Sequence, residues 1–231
     1  MEKVRVFLAD WQVLFREGVH LALCAEESYE VIGEAATNEG ALDFIENNRP
    51  GVAILNADHG EPTGIEITRR IKQNLPTVAI ILMMDSYRDE QVFAALKSGA
   101  SACLSKDVEL DELHDTIRRV VQGEYPINQS ILKPAVASRI LSEFETVLQL
   151  NGEPGNLPAR LLSLEIQILK HIASGNRLEN IARDMNITED TVRQRLYIIL
   201  GKLVTNDRNN RLIDVGQGNS PPMPSKSSGI R

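Results

Sequence analysis

The first hundred and twenty residues alternate between short apolar runs and longer stretches whose apolar residues recur at helical spacing. Residues 3–9 (KVRVFLA) alternate and then run apolar into Asp10, which predicts a buried strand. Over 12–25, Leu14, Phe15, Val19, Ala22 and Leu23 fall at helical spacing. Further strands are expected at 29–35, 51–56, 77–83 and 102–104, interleaved with helices at 38–48, 64–73, 88–98 and 110–123. Five strands alternating with five helices define an α/β class, a doubly wound parallel five-stranded sheet with helices on both faces. In such sheets functional groups gather beyond the carboxyl ends of the strands, here Asp10 and Trp11, Asn56 and Ala57, Met84 and Asp85, and Lys106.

The pattern then changes. Residues 123–129 read as a loop broken by Pro126. A helix is expected over 134–150, opened by Pro134 and carrying Val136, Ile140, Phe144, Val147 and Leu148 on one stripe. That stripe must be buried, either in a dimer contact or against the α/β domain. Residues 151–155 (NGEPG) read as a flexible joint. From 216 the chain lacks apolar spacing and is expected to be disordered. The expected layout is an α/β domain over 1–123, a linker over 124–156, an all-α domain over 157–215 and a tail over 216–231.

Within the all-α part, Leu162, Glu165, Ile168 and Leu169 mark an amphipathic helix that Gly175 stops. Ile181, Ala182 and Met185 mark a short second helix, which Asn186 ends. Thr188 is the expected N-cap of a third helix, with Glu189 and Asp190 in its first turn, where the macrodipole favours negative charge. Over 189–203 this helix buries Val192, Leu196, Ile199 and Leu203 and turns Arg193, Gln194, Arg195, Tyr197 and Lys202 outward. A short helix, a tight turn and a helix with a basic, amide-bearing face is a helix-turn-helix arrangement. An ordinary helical hairpin with solvated arginines has the same local pattern.

Composition narrows the class. No apolar run approaches the ~20 residues of a membrane helix, and MEKVRVFLADW is too polar for a signal peptide, so a cytoplasmic location without membrane contact is expected. Cys24 and Cys103 lie far apart without metal-like spacing and read as buried thiols. The net charge of −7 is uneven: residues 1–122 carry 12 Lys and Arg against 21 Asp and Glu, whereas 158–212 carry 9 against 6. The acidic part should stay off nucleic acid and the basic part should find it.

Residues 158–213 resemble the four-helix DNA-binding domain of LuxR-type (NarL-type) transcription factors, through Glu165, Ala173-Ser174-Gly175, Ile181-Ala182, Ile187-Thr188-Glu189, Thr191-Val192, Lys202-Leu203, and Asp207-Arg208 at the start of the family's last helix. Residues 3–122 resemble the receiver domain of two-component response regulators, through Phe15-Arg16-Glu17-Gly18, Gly64-Ile65-Glu66, Gly99-Ala100-Ser101 and Lys106-Asp107. The resemblance implies a dimer on double-stranded DNA. Arg193, Gln194 and Tyr197 are then the base-edge contacts, and Thr188, Thr191, Arg195, Lys202 and Arg208 the phosphate contacts.

At the receiver site the chain departs from the family. A working receiver has two acids after the first strand for Mg²⁺, an acceptor Asp on the third strand, a Ser or Thr after the fourth and a Lys after the fifth. Here Asp10 and Lys106 remain, while Trp11, Asn56 and Met84 occupy the other positions and Cys103 the aromatic position of the fifth strand. An amide is a poor nucleophile, so neither phosphotransfer nor any other enzymatic activity, metal or cofactor is expected. Asp58, two residues on, is a substitute acceptor only if the strand continues. Trp11, Met83 and Met84 either line a small apolar pocket or fill the vacated space as core. A residual ion pair between Asp10 and Lys106 is expected. The alternative function is a pseudo-receiver that docks a protein partner or a ligand at this site.

Overall fold

The computed structural model describes residues 3–150 and 158–216. The joint expected at 151–155, the tail beyond Gly216 and the side chains of Val147 and Leu148 lie outside the described residues. Strands β1 (Val4–Ala9), β2 (Tyr29–Ala35), β3 (Val52–Asn56), β4 (Ala79–Met84) and β5 (Ala102–Ser105) form one sheet in the order β2-β1-β3-β4-β5, with every pair parallel. Helices α1 (Val13–Cys24), α2 (Asn38–Asn48), α3 (Gly64–Asn74), α4 (Asp89–Ser98) and α5 (Leu110–Val121) connect them.

Every residue of β3 and β4 is buried, because helices cover both faces and the strands are apolar throughout. Alternate side chains divide between two cores. Leu8, Ile54, Ile81 and Met83 pack with α1 and α5, while Phe7, Leu55, Leu82 and Met84 pack with α2, α3 and α4. Met84 is the last residue of β4 rather than the first of the following loop, and its side chain is fully buried. The two methionines therefore do not line one pocket together, because they point to opposite faces of the sheet.

Loop chemistry sets the strand ends. Thr63 and Glu66 form a capping box at the start of α3. A Cβ on Gly64 would sit 1.9 Å from the Asn56 carbonyl oxygen, so only glycine lets α3 begin this close to the end of β3.

The stretch expected as a loop contains a 3-10 helix, Pro126–Leu132, whose Ile127 and Ile131 are buried. Next comes α6 (Pro134–Leu150), with Val136, Ala137, Ile140 and Phe144 in one cluster with Val92, Phe93 and Leu96 of α4. Ile168 and Leu169 of α7 (Ser163–Ala173) join the same cluster. The described part of the stripe is thus buried within the chain.

Helix α8 (Leu178–Asp184) follows, then a turn in which Asn186 takes φ 54°, then α9 (Glu189–Gly216). Thr188 Oγ1 accepts the Thr191 N–H at 3.2 Å, as an N-cap should. A break before Asp207 is not observed: α9 runs unbroken through Thr205 and Asn206, which contain no proline and fill helical positions without strain. Cys24 also departs from expectation. It is exposed on the outer side of α1, where the turn-by-turn spacing gives the inward positions to Val19 and Leu23.

Glu165 is fully buried, caps α7 by accepting the Leu162 N–H at 2.8 Å, and meets Lys202 Nζ at 2.7 and 2.9 Å. Removing one partner of a buried pair strands the other charge. Lys202→Ala is expected to destabilise the C-terminal helices by about 3 kcal/mol, measured by urea unfolding of the full chain.

Candidate functional site

The parallel register brings the ends of β1 and β3 together, since Ala9 pairs with Leu55 and Asn56 with Met83. Asp10 and Asn56 therefore meet. Asn56 Nδ2 donates to Asp10 Oδ2 at 3.0 Å, and Asn56 Oδ1 accepts the N–H groups of Asp58 at 3.0 Å and His59 at 2.9 Å. The Asn56 amide thus caps the loop that follows it, using both of its ends. From the end of β5, Lys106 reaches back to Asp10 Oδ2 at 2.8 Å, Asp85 Oδ1 at 3.1 Å and Gln12 Oε1 at 3.0 Å. The expected Asp10–Lys106 ion pair is present, and the ammonium uses all three donors on neighbours.

These residues do not fit a magnesium ion. Asp10 Oδ1 accepts the Gln12 N–H at 2.8 Å, while Oδ2 serves both Asn56 and Lys106. Trp11 offers no oxygen, and among the described residues no group of three acidic, His or Cys side chains has a metal-holding arrangement. Asp58 does not take the place of Asn56. The strand ends at Asn56, and the Asp58 carboxylate accepts the Asp85 N–H at 3.1 Å and the Gln91 side-chain amide.

Trp11 is 49 % exposed and lies against the His59 ring, centroids 4.8 Å apart. It neither fills the core nor joins Met83 and Met84. Instead it borders a cavity of about 270 Å³ with Thr37, Asn38, Glu39, Asn56 and Glu61.

Cys103 in β5 is buried, and Tyr87 from the loop before α4 brings its hydroxyl within 3.3 Å of the sulfur. Burial raises the pKa of both groups. Lys133 sits 4.4 Å from the centre of the Tyr87 ring, so the loop after β4 is tied to the linker. The small thiol in β5 was the sequence signal that an aromatic from elsewhere occupies this space. Gln12 and His59 gave none, because their roles arise from strand register.

On α9, Arg193, Gln194 and Tyr197 are exposed, and Arg193 pairs loosely with Glu189 at 3.3 Å. Thr188 is exposed and Thr191 half-buried, with their hydroxyls 2.8 Å apart; Arg195 is half-buried. Lys202 is turned inward to Glu165 rather than outward, which corrects its expected placement. Arg208 also turns inward, donating to the Lys72 carbonyl at 3.1 Å. Asp207 accepts from Arg69 of α3 at 2.9 Å and lies 3.5 Å from Lys97 of α4, which also pairs with Glu143 of α6. Tyr197 borders a cleft of about 290 Å³ against the α/β part. Arg193 borders one of about 360 Å³ beside Leu132 and Pro134.

Residues 6–118 match the response regulator receiver domain, and 161–213 match the LuxR family of bacterial regulatory proteins. The chain belongs to the NarL/LuxR-type response regulators, which are DNA-binding transcriptional regulators. It is 30 % identical over 213 residues to the uncharacterized transcriptional regulatory protein YxjL of Bacillus subtilis, covering 92 % of this chain and 94 % of that one. It is 26 % identical over 216 residues to the response regulator protein VraR of Staphylococcus aureus, covering 94 % and 98 %. Among solved structures, the signal receiver domain of the putative response regulator NarL from Mycobacterium tuberculosis matches with 31 % identity and a TM-score of 0.52, covering 54 % of this chain and all of that one. The Salmonella typhimurium RcsB response regulator shares the fold at 20 % identity and a TM-score of 0.50 over 88 % of this chain and 93 % of that one.

The ion pairs at Asp207 cross between α9 and the α/β part with little solvent access. Asp207→Asn is expected to weaken this docking by about 2 kcal/mol, roughly thirtyfold. Small-angle X-ray scattering should then give a larger radius of gyration for the variant at unchanged mass.

Proposed function

We propose that this chain is a sequence-specific transcription regulator that binds double-stranded DNA as a homodimer through the first half of α9, and that its receiver does not accept a phosphoryl group. The observation that carries the DNA reading is the exposed group Arg193, Gln194 and Tyr197, set on one side of the helix after the Asn186 turn. Arg193 suits guanine O6 and N7, and Gln194 suits adenine N6 and N7. Tyr197 offers a hydroxyl and an apolar ring. Thr188, Thr191 and Arg195 are the backbone contacts, which give affinity and salt dependence without sequence choice. Because Arg193 and Tyr197 border clefts against linker and α/β residues, DNA reading in this proposal requires the helices to leave the docked arrangement.

The loss of phosphotransfer rests on Asn56. A neutral amide, already bonded to Asp10 and to two loop N–H groups, is a poor nucleophile, and the metal-supporting charge is missing beside it. In the docked arrangement the receiver holds the output helices through Asp207. The second reading, a receiver that senses a protein or small ligand at this site, is favoured by the exposed Trp11–His59 pair beside its cavity.

Arg193→Ala is expected to lower the ratio of specific to random DNA affinity roughly tenfold to a hundredfold; equal losses on both, measured by binding-site selection and titration, would overturn the base-reading role. Incubation with acetyl phosphate and Mg²⁺ is expected to leave both the intact mass and the DNA affinity unchanged. An adduct of one phosphoryl mass, at Asp58 or elsewhere, would sink the phosphorylation-independent reading.

A further inference from the structure

Two cationic side chains, Lys72 and Arg208, border the cleft between α3, the 3-10 helix and α9. Lys72 of α3 is only 5 % exposed, and its ammonium donates to the carbonyls of Pro76 at 3.1 Å and Val78 at 2.7 Å. Arg208 of α9 comes to the same residue from the other side, with one guanidinium nitrogen 3.1 Å from the Lys72 carbonyl oxygen. Among the described residues, no carboxylate lies within ion-pair distance of either charge. The adjacent Asp207 is turned to Arg69 and Lys97. Burial first and the nearby Arg208 second lower the Lys72 pKa to about 8, which is the electrostatic cost of this arrangement.

The space beside them has the shape and lining of a small ligand site. The cleft holds about 290 Å³, with Tyr125 on one wall and Tyr197, Leu200 and Val204 of α9 on the other. Lys72 Nζ is 5.8 Å from the centre of the Tyr125 ring. Ligand sites favour such joints between structural units, with an apolar lining and a few converging polar groups. Here Lys72 and Arg208 supply the charge, with Asn128 and Thr205 as neutral polar neighbours.

We propose that this cleft binds a small organic anion, with a carboxylate or phosphate head received by Arg208 and Lys72 and a planar apolar body lying between Tyr125 and the Leu200–Val204 side of α9. The Arg208 fork retains N–H groups beyond the one used on the Lys72 carbonyl, in a geometry suited to a carboxylate or phosphate edge. The volume admits a single-ring compound. The proposal does not rest on phosphotransfer; because Tyr197 borders the cleft in the docked arrangement that DNA reading leaves, the anion and DNA favour different arrangements of the helices.

The test uses the full chain with benzoate, phenyl phosphate and benzyl alcohol as probes, read by saturation-transfer NMR titration. At least one of the two anions is expected to bind roughly tenfold or more tightly than the neutral alcohol, and the comparison between them shows which head the site takes. Arg208→Gln should remove that preference, with circular dichroism and thermal unfolding checking that the variant is folded. Gly201→Leu is the second variant. Gly201 borders the cleft and a Cβ there meets nothing within 4 Å, so a larger side chain can start there without removing either cation. Loss of anion binding in Gly201→Leu, with both charges intact, is the expected result. Equal binding of all three probes, binding that survives both substitutions, or no binding of either anion would overturn the proposal.

Discussion

Burial of both faces of the parallel sheet is the constraint from which the rest follows. With β3 and β4 fully enclosed, their polar backbone can find partners only in neighbouring strands, so register is set without slack. The residues just past the strand ends are then forced together. Asp10, Asn56, Asp85 and Lys106 come from four different connections, yet meet within hydrogen-bond reach. The cluster is closed on itself. Lys106 satisfies two carboxylates and an amide, and the Asn56 amide holds the loop after β3 by two backbone N–H groups. Such an arrangement ties the ends of β1, β3, β4 and β5 to one another.

The same apolar packing continues past the sheet. Helix α6 lies between α4 and α7, so the linker is part of one core rather than a spacer. Charges add direction to this contact. Asp207 faces Arg69 and Lys97 across the joint, and Arg139 of α6 meets Glu90 of α4 at 2.8 Å. Arg208, one position beyond Asp207, is thereby turned toward Lys72 instead of outward. Tyr87, Cys103 and Lys133 join the loop after β4 to the linker on the neighbouring side. Helix α9 is consequently held at its later turns, around Asp207 and Arg208, by elements of the receiver.

Much of the fold was legible because it depends on local periodicity. The apolar runs that became β1, β3 and β4, the helical spacing of α3, α5 and α7, and the Asn186 turn with its Thr188 cap each follow from short-range rules. Legibility failed where neighbours from distant sequence decide. The 3-10 helix at Pro126–Leu132 exists because Ile127 and Ile131 find a core to enter, and nothing in the local pattern announces that core. Trp11 was expected among methionines, but lies outside with His59, because Met83 and Met84 alternate into two separate cores.

The sequence by itself determined the order of elements, the identity of the groups at the strand ends and the exposed trio on α9. These follow from side-chain chemistry and from spacing along one element. Only the tertiary structure decided where the long cations go. Lys202 and Lys72 turn inward, and Arg208 turns toward the cleft, because a long flexible side chain takes the acceptor that folding brings near it. Glu165, two loop carbonyls and the carbonyl of Lys72 are such acceptors. A helical position specifies the direction in which such a side chain leaves the backbone, but not its final partner, which folding brings from 37 residues away for Lys202 and 136 for Arg208, and from the loop just beyond α3 for Lys72.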